Sequence, residues 1–254
     1  MFTDTHAHVY SDEFDTDAEA CFERSIENKV SRIFVPNVDC QSIEALKKSC
    51  SAYPLHYFPM MGLHPCSVNE NFTNNLTIIY KELISSTYYG VGEIGMDLYW
   101  DKSTYDIQKK AFIEQAQWAI KFDLPVSIHS RAATQHLISI IKEENLQKLR
   151  GVFHCFSGDE NEAIELIKMG FYLGIGGAVT YKNSQLPTVL KTIGTQCLVL
   201  ETDAPYLPPT PHRGKRNETS YIPLIANKLS EIFEINMAEL AEITTNNSKK
   251  IFGI

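Results

Sequence analysis

No apolar run in this chain approaches the roughly 20 residues that a membrane-spanning helix needs, so no helical anchor is expected. The first residues, MFTDTHAH, lack a basic segment followed by an apolar one, and no secretory leader is read there. Positive charge is short: 23 Lys and Arg face 31 Asp and Glu, a formal net charge of −8. That balance argues against a broad electrostatic footprint on nucleic acid but leaves room for a small phosphate site. Cys21, Cys40, Cys50, Cys66, Cys155 and Cys197 form no CxxC pair. Scattered thiols in a chain this long point to a reduced, cytoplasmic protein without a disulfide framework. A Pro-, Gly- or Ser-rich linker and an internal repeat are also missing, so residues 1–254 are expected to form a single domain.

What is present is a regular alternation. β-rich runs fall near 2–8, 31–38, 56–63, 88–94, 124–130, 150–156, 171–178 and 196–201. Helical spacing separates them. Ala133, Leu137, Ile140 and Ile141 recur at offsets that share one helix face, and Phe112, Ala116, Ala119 and Ile120 repeat the pattern. Asp159 with Glu162, and Asn236 with Glu239, have the capping-box spacing of helix starts. Strict alternation predicts a parallel sheet, and eight units in about 250 residues predict an α/β fold closed as a single (β/α)₈ TIM-type barrel.

His6 and His8 lie two apart on the first strand, a spacing that puts both imidazoles on one face. Glu93 ends the fourth strand, His129 the fifth and His154 the sixth, and Asp203 follows the eighth. Barrel enzymes collect their functional groups at the carboxyl ends of the strands, so these six residues are expected to converge. Four imidazoles and two carboxylates exceed one tetrahedral metal's needs. They suggest two divalent ions bridged by a carboxylate, and Glu93 is the natural bridge. Mixed His and carboxylate donors suit Zn²⁺, Mn²⁺ or Ni²⁺, whereas Mg²⁺ prefers oxygen. Asp203 is the candidate base and Glu201 a supporting residue that holds a His or a neighbouring loop.

Other features divide by position. Gly90, Gly92 and Gly95 spell GxGxxG, but they lie within a strand and DLYWDKS intervenes before the next helix. They are read as small residues that let the fourth strand pack tightly, not as a dinucleotide site. His64, in GLHP at the end of the third strand, either contacts substrate or closes a loop. His56 is read as structural, His136 as solvent-facing, and Cys155 as alternating away from the site toward the helices. Arg213, Lys215 and Arg216 follow the eighth strand, where barrels often bind phosphate; the alternative is a solvated basic turn. Tyr99 and Trp100 either stack on bases or cover the rim, the latter being preferred.

The segments DTHAH (4–8), MGLHP (61–65), GEIGMD (92–97), IHSR (128–131), HCFSG (154–158), ETDAP (201–205) and RGKRNE (213–218) run through nearly the whole chain. In these the sequence resembles the TatD-type deoxyribonuclease family, a branch of the amidohydrolase-like metal-dependent barrels. Ala132 and Thr219 depart from it, standing where many members have Asp and Pro. The resemblance implies metal ligation by His6, His8, Glu93, His129, His154 and Asp203, with one or two divalent ions. It implies hydrolysis of DNA phosphodiesters, often as a 3′–5′ exonuclease on single-stranded DNA or 3′ ends, with no membrane and no obligate protein partner. The alternatives are an amide or ester hydrolase acting on a small molecule or a D-aminoacyl-tRNA, and a binding protein without turnover. The basic loop favours a phosphate-bearing substrate, and the full ligand set disfavours mere binding.

Overall fold

Eight parallel strands alternate with helices in the computed structural model, which describes residues 1–254. The strands are β1 (Phe2–Asp4), β2 (Val30–Pro36), β3 (Tyr57–Met60), β4 (Val91–Asp97), β5 (Val126–Arg131), β6 (Gly151–Phe153), β7 (Tyr172–Ile175) and β8 (Leu198–Leu200). The helices are α1 (Ala18–Glu27), α2 (Ile43–Ala52), α3 (Phe72–Ser85), α4 (Tyr105–Phe122), α5 (Thr134–Glu143), α6 (Glu160–Lys168), α7 (Leu186–Ile193), α8 (Ile222–Phe233) and α9 (Met237–Phe252). None is long and apolar enough to cross a membrane.

Regular ladders join β1–β2–β3 and β4 through β8, all parallel. Isolated backbone hydrogen bonds close both seams. Tyr89 N–H donates to Pro59 O and Met61 N–H to Gly90 O between β3 and β4. Thr5 N–H donates to Leu200 O, Asp203 N–H to His6 O and His8 N–H to Ala204 O between β1 and β8. The result is the TIM-type barrel expected from the alternation.

All eight expected strands are found, but the ladders are shorter than the β-rich runs. His6 and His8 lie beyond β1, and His154 beyond β6. At β1 the cause is Asp4. Its carboxylate accepts the backbone N–H of His6 at 3.2 Å and of Thr202 at 3.0 Å, and the Thr202 hydroxyl at 2.6 Å. The side chain thus takes the place of a strand neighbour and clamps the segment carrying the histidines to the one carrying Asp203. Burial pushes this carboxyl up to about 8.

The helices bury the faces the sequence marked. Leu137, Ile140 and Ile141 of α5 and Phe112, Ala116 and Ala119 of α4 join the main core. The Asp159–Glu162 capping box is complete, with both reciprocal bonds, and Asn236 accepts the Glu239 N–H at 2.9 Å. A smaller cluster of Phe34, Phe58, Met60, Val152 and Val199 packs with Ile251 and Phe252 of α9. Arg150, just ahead of β6, donates to Ile251 O at 2.7 Å, so the end of α9 closes the barrel at the strands' N-terminal ends. The opposite mouth is left for the site. On β4, a Cβ at Gly95 would stand 2.0 Å from His129 O, so the glycines there do serve close packing.

Ala132, between β5 and α5, is exposed and has φ +53°. An alanine gains nothing from that left-handed conformation, whereas Asn or Asp tolerates it through local hydrogen bonding. Ala132→Asn is therefore expected to stabilise the fold by about 0.5–1 kcal/mol, raising Tm by about 1–4 °C. A thermal melt with unchanged or lower Tm would remove the strain argument.

Candidate active site

The strand ends converge on Glu93. This buried carboxylate sits on β4, and its two oxygens face different neighbours. Oε2 lies 3.2 Å from His6 Nε2 and 3.4 Å from His8 Nε2. Oε1 lies 2.7 Å from His154 Nε2, 2.8 Å from His129 Nδ1 and 3.3 Å from His64 Nε2. Asp203 Oδ1 joins the first group, 3.6 Å from His8 Nε2 and 3.8 Å from His6 Nε2. The structure thus brings together all six residues singled out as ligands and adds His64. Although off the strand, His6 and His8 keep the shared face, with Nε2 atoms 3.2 Å apart.

Outer partners set the direction of each ring. His6 Nδ1 lies 2.8 Å from Ser127 Oγ. Tyr10 donates its hydroxyl proton to Pro36 O at 2.9 Å, so its oxygen is left to accept from His8 Nδ1, 3.3 Å away. Both arrangements turn Nε2 inward. His129 is reversed: Nε2 meets Asp97 Oδ2 at 3.0 Å, so the N–H goes to Asp97 and Nδ1 faces Glu93. Partners of this kind commonly fix the tautomer of a ligating imidazole. His64 differs. Its Nδ1 accepts the Cys66 backbone N–H at 3.0 Å, so a neutral ring carries its proton on Nε2 and offers the centre a donor.

Glu201 supports His154 from behind. Its Oε1 accepts the Cys155 N–H at 2.5 Å and lies 3.7 Å from His154 Nδ1. Gly174 makes room for it, since a Cβ there would stand 2.0 Å from Glu201 Oε2.

The charges are mutually perturbing. Burial lowers the His8 imidazole, but the adjacent carboxylates of Asp203 and Glu93 outweigh it and raise it to about 10. His154 is raised too, against burial, by the charge of Glu93 and by the Glu201 carboxylate behind the ring. Burial and then the neighbouring His154 lower His6 to about 4. Burial opposes ionisation of Glu93, yet the imidazoles of His154, His64 and His6 hold it well below the usual carboxylate range.

This donor set fits divalent cations. Inward-turned nitrogens of His6, His8 and His129 meet the oxygens of Glu93 and Asp203, so lone pairs converge on lone pairs. That costs energy unless a proton or cation sits among them. The candidate ligands fall into three overlapping trios, His6–His8–Asp203, His6–Glu93–His154 and His64–Glu93–His129; across them Glu93 turns Oε2 to His6 and His8 and Oε1 to His129 and His154.

Two sequence expectations change. Cys155 has φ +47°, which breaks strand alternation. Its backbone N–H is held by Glu201 Oε1, and burial and then the charges of Asp203, Glu201 and Glu93 push its thiol up. Tyr99 and Trp100, on the loop after β4, stand 60% and 71% exposed. Arg216 is not free for phosphate. It pairs with Asp17 at 2.6 and 2.8 Å and with Glu218 at 3.2 Å, donates to Glu13 O, and lies over the Phe14 ring. Arg24 completes this clasp through Glu218 at 2.8 Å. Asn217 donates to Thr202 O and Tyr206 O, so the RGKRNE segment braces the loop that carries Asp203. Arg213 and Lys215 remain exposed, with Arg213 over Tyr181. Arg216→Ala is expected to destabilise the fold by about 1–3 kcal/mol. Lys215→Ala should stay within about 0.5 kcal/mol. Urea unfolding tests the contrast, and equal midpoints would return Arg216 to the surface.

Sequence reading missed Asp97, Ser127 and Tyr10. Each was reachable by the two-residue strand period: Asp97 is four beyond Glu93, Ser127 two before His129, and Tyr10 two beyond His8.

A buried histidine–carboxylate centre at the C-terminal mouth of a (β/α)₈ barrel places the protein among the metal-dependent barrel hydrolases. The family model "TatD related DNase" matches residues 3–253, and the chain belongs to that family. It is 40% identical to the metal-dependent hydrolase YabD of Bacillus subtilis, over 100% of both chains. It is 30% identical to a protein of Escherichia fergusonii named 3′-5′ ssDNA/RNA exonuclease TatD, over 99% of this chain and 98% of that one. The solved structure of YjjV, a TatD homologue from Escherichia coli, superposes with a TM-score of 0.93 at 29% identity, covering 100% and 98% of the two chains. The protein is accordingly a metal-dependent hydrolase.

Proposed function

We propose that the protein hydrolyses phosphodiester bonds of single-stranded DNA from the 3′ end, with His6, His8, Glu93, His129, His154 and Asp203 as metal ligands. The observation that carries this reading is the Glu93 carboxylate, whose two oxygens face two separate donor groups. Such a shared carboxylate suits a pair of cations, an arrangement widespread in phosphoester hydrolysis. Bound there, divalent ions supply Lewis acidity and make a site water easier to deprotonate. Asp203, which faces the His6–His8 group through Oδ1, accepts that water's proton on its other oxygen. His64 donates its Nε2–H to a substrate oxygen. Ser127, Tyr10 and Asp97 hold the three rings in register. Support for DNA over a neutral ester comes from the name of the E. fergusonii relative and from exposed Arg213 and Lys215.

Purified protein reconstituted with Zn²⁺, Mn²⁺, Ni²⁺ or Mg²⁺ should release mononucleotides from 5′-labelled single-stranded oligonucleotides, shortening them from the 3′ end. Turnover of neutral esters or amides with no DNA cleavage under any metal would overturn the reading in favour of an amide or ester hydrolase.

A further inference from the structure

Beside the centre stands a group of side chains that the proposed chemistry does not use. Tyr99 and Trp100 follow β4 and are 60% and 71% exposed, although both are large aromatics. Their rings meet edge to face, 5.0 Å apart at 88°. Arg131, at the end of β5, places its guanidinium carbon 4.0 Å from the Tyr99 ring centre and 5.1 Å from that of Trp100. Arg131 is exposed, forms no ion pair and makes no side-chain hydrogen bond within the protein. A guanidinium lying on aromatic faces keeps its N–H edge free for an oxyanion.

The group is fixed to the centre through one carboxylate. Asp97 Oδ1 accepts the backbone N–H of Tyr99 at 3.0 Å and of Trp100 at 3.4 Å. Its Oδ2 takes the Nε2 of His129 at 3.0 Å. The residue that orients a candidate ligand therefore also sets the start of the aromatic loop.

We infer that Tyr99, Trp100 and Arg131 form a nucleotide-binding platform, with a base of single-stranded nucleic acid on the exposed Trp100 face and its phosphate on the Arg131 edge. The inference rests on the proposed phosphodiesterase reading and names where the substrate strand is held. An aromatic face accepts any base, so the platform holds a strand without reading its sequence. Exposed aromatics are an unfavourable use of surface unless something stacks on them, and their tether to the His129 side places that something next to the scissile bond.

The test uses fluorescence, because the chain has only two tryptophans and the other, Trp118, is buried at 7% exposure. In a Trp118→Phe protein, Trp100 is the sole reporter. Titration with a short oligothymidylate should quench it saturably. An oligomer of abasic tetrahydrofuran phosphates should bind with little quenching. In the parent protein, Trp100→Ala should raise KM for single-stranded DNA about 5- to 100-fold, the scale of one lost base stack, with kcat changed about twofold at most. KM for the abasic oligomer should be unmoved. Arg131→Ala should raise KM for both oligomers. Saturable quenching without any DNA cleavage keeps the platform while removing the nuclease reading. Cleavage of DNA with a KM indifferent to Trp100→Ala, and no quenching, overturns the platform and leaves the nuclease reading standing.

Discussion

Glu93→Gln should lower the affinity of both cation positions, while His6→Ala with His8→Ala should lower it at one. The amide keeps the size of the carboxylate but loses the charge that faces all five imidazoles at 2.7–3.4 Å. Removing His6 and His8 takes away the ring stacked on His154 but keeps Glu93 Oε1, His129 and His154, so one group of donors survives. Metal analysis after dialysis should find Glu93→Gln depleted to well under one equivalent. The double His variant should retain about one equivalent if the parent holds two. Hydrolase activity should fall by about 10³-fold or more in either, since the water is then no longer acidified. Both proteins should keep the far-ultraviolet spectrum of the parent, because the clamp at Asp4 and the core do not depend on these side chains. Full metal content in Glu93→Gln would sink the shared-carboxylate assignment. Equal depletion in both variants would mean the two groups act as a single site.

Most of the barrel was legible because periodicity carries it. The strand runs and the α4 and α5 faces are read from residues that repeat every two or every three to four positions, and both repeats are local. The candidate centre was legible for the same reason: histidines and carboxylates sat at the ends of successive strand runs. What escaped is nonlocal. The Asp4 carboxylate ends the β1 ladder by bonding to Thr202, 198 residues away. Arg216 looks like a phosphate ligand in RGKRNE, yet its partner Asp17 lies 199 residues earlier, and no spacing announces that pair. Cys155 escaped because the two-residue period assumes extended backbone, and a left-handed residue breaks it. His64 was visible as a site residue, but its role as a donor follows from the Cys66 N–H, a loop geometry that the string GLHPCS does not spell out.

Asp203→Asn separates the base from the ligand. Asp203 presents Oδ1 to His8 and His6 at 3.6 and 3.8 Å. Its Oδ2 takes part in no hydrogen bond or ion pair, and the side chain keeps 13% exposure, so that oxygen is open toward the mouth. Burial alone would favour the neutral acid. The neighbouring His8 and the charge of His154 oppose this and hold Asp203 below the usual carboxylate range. As a carboxylate it can take a proton from the attacking water through that oxygen. An asparagine keeps an oxygen for the His6–His8 group and fills nearly the same space, but it cannot accept that proton. The variant should hold most of the parent's metal and lose about 10²- to 10⁴-fold in kcat, the usual range for a general base. KM should change little, because the substrate strand is held elsewhere. A mere ligand would show the opposite: metal falls and activity returns when excess metal is added. Near-parental kcat at full metal content would hand the proton to another group, and His64, already committed to Nε2–H by Cys66, is not able to take it.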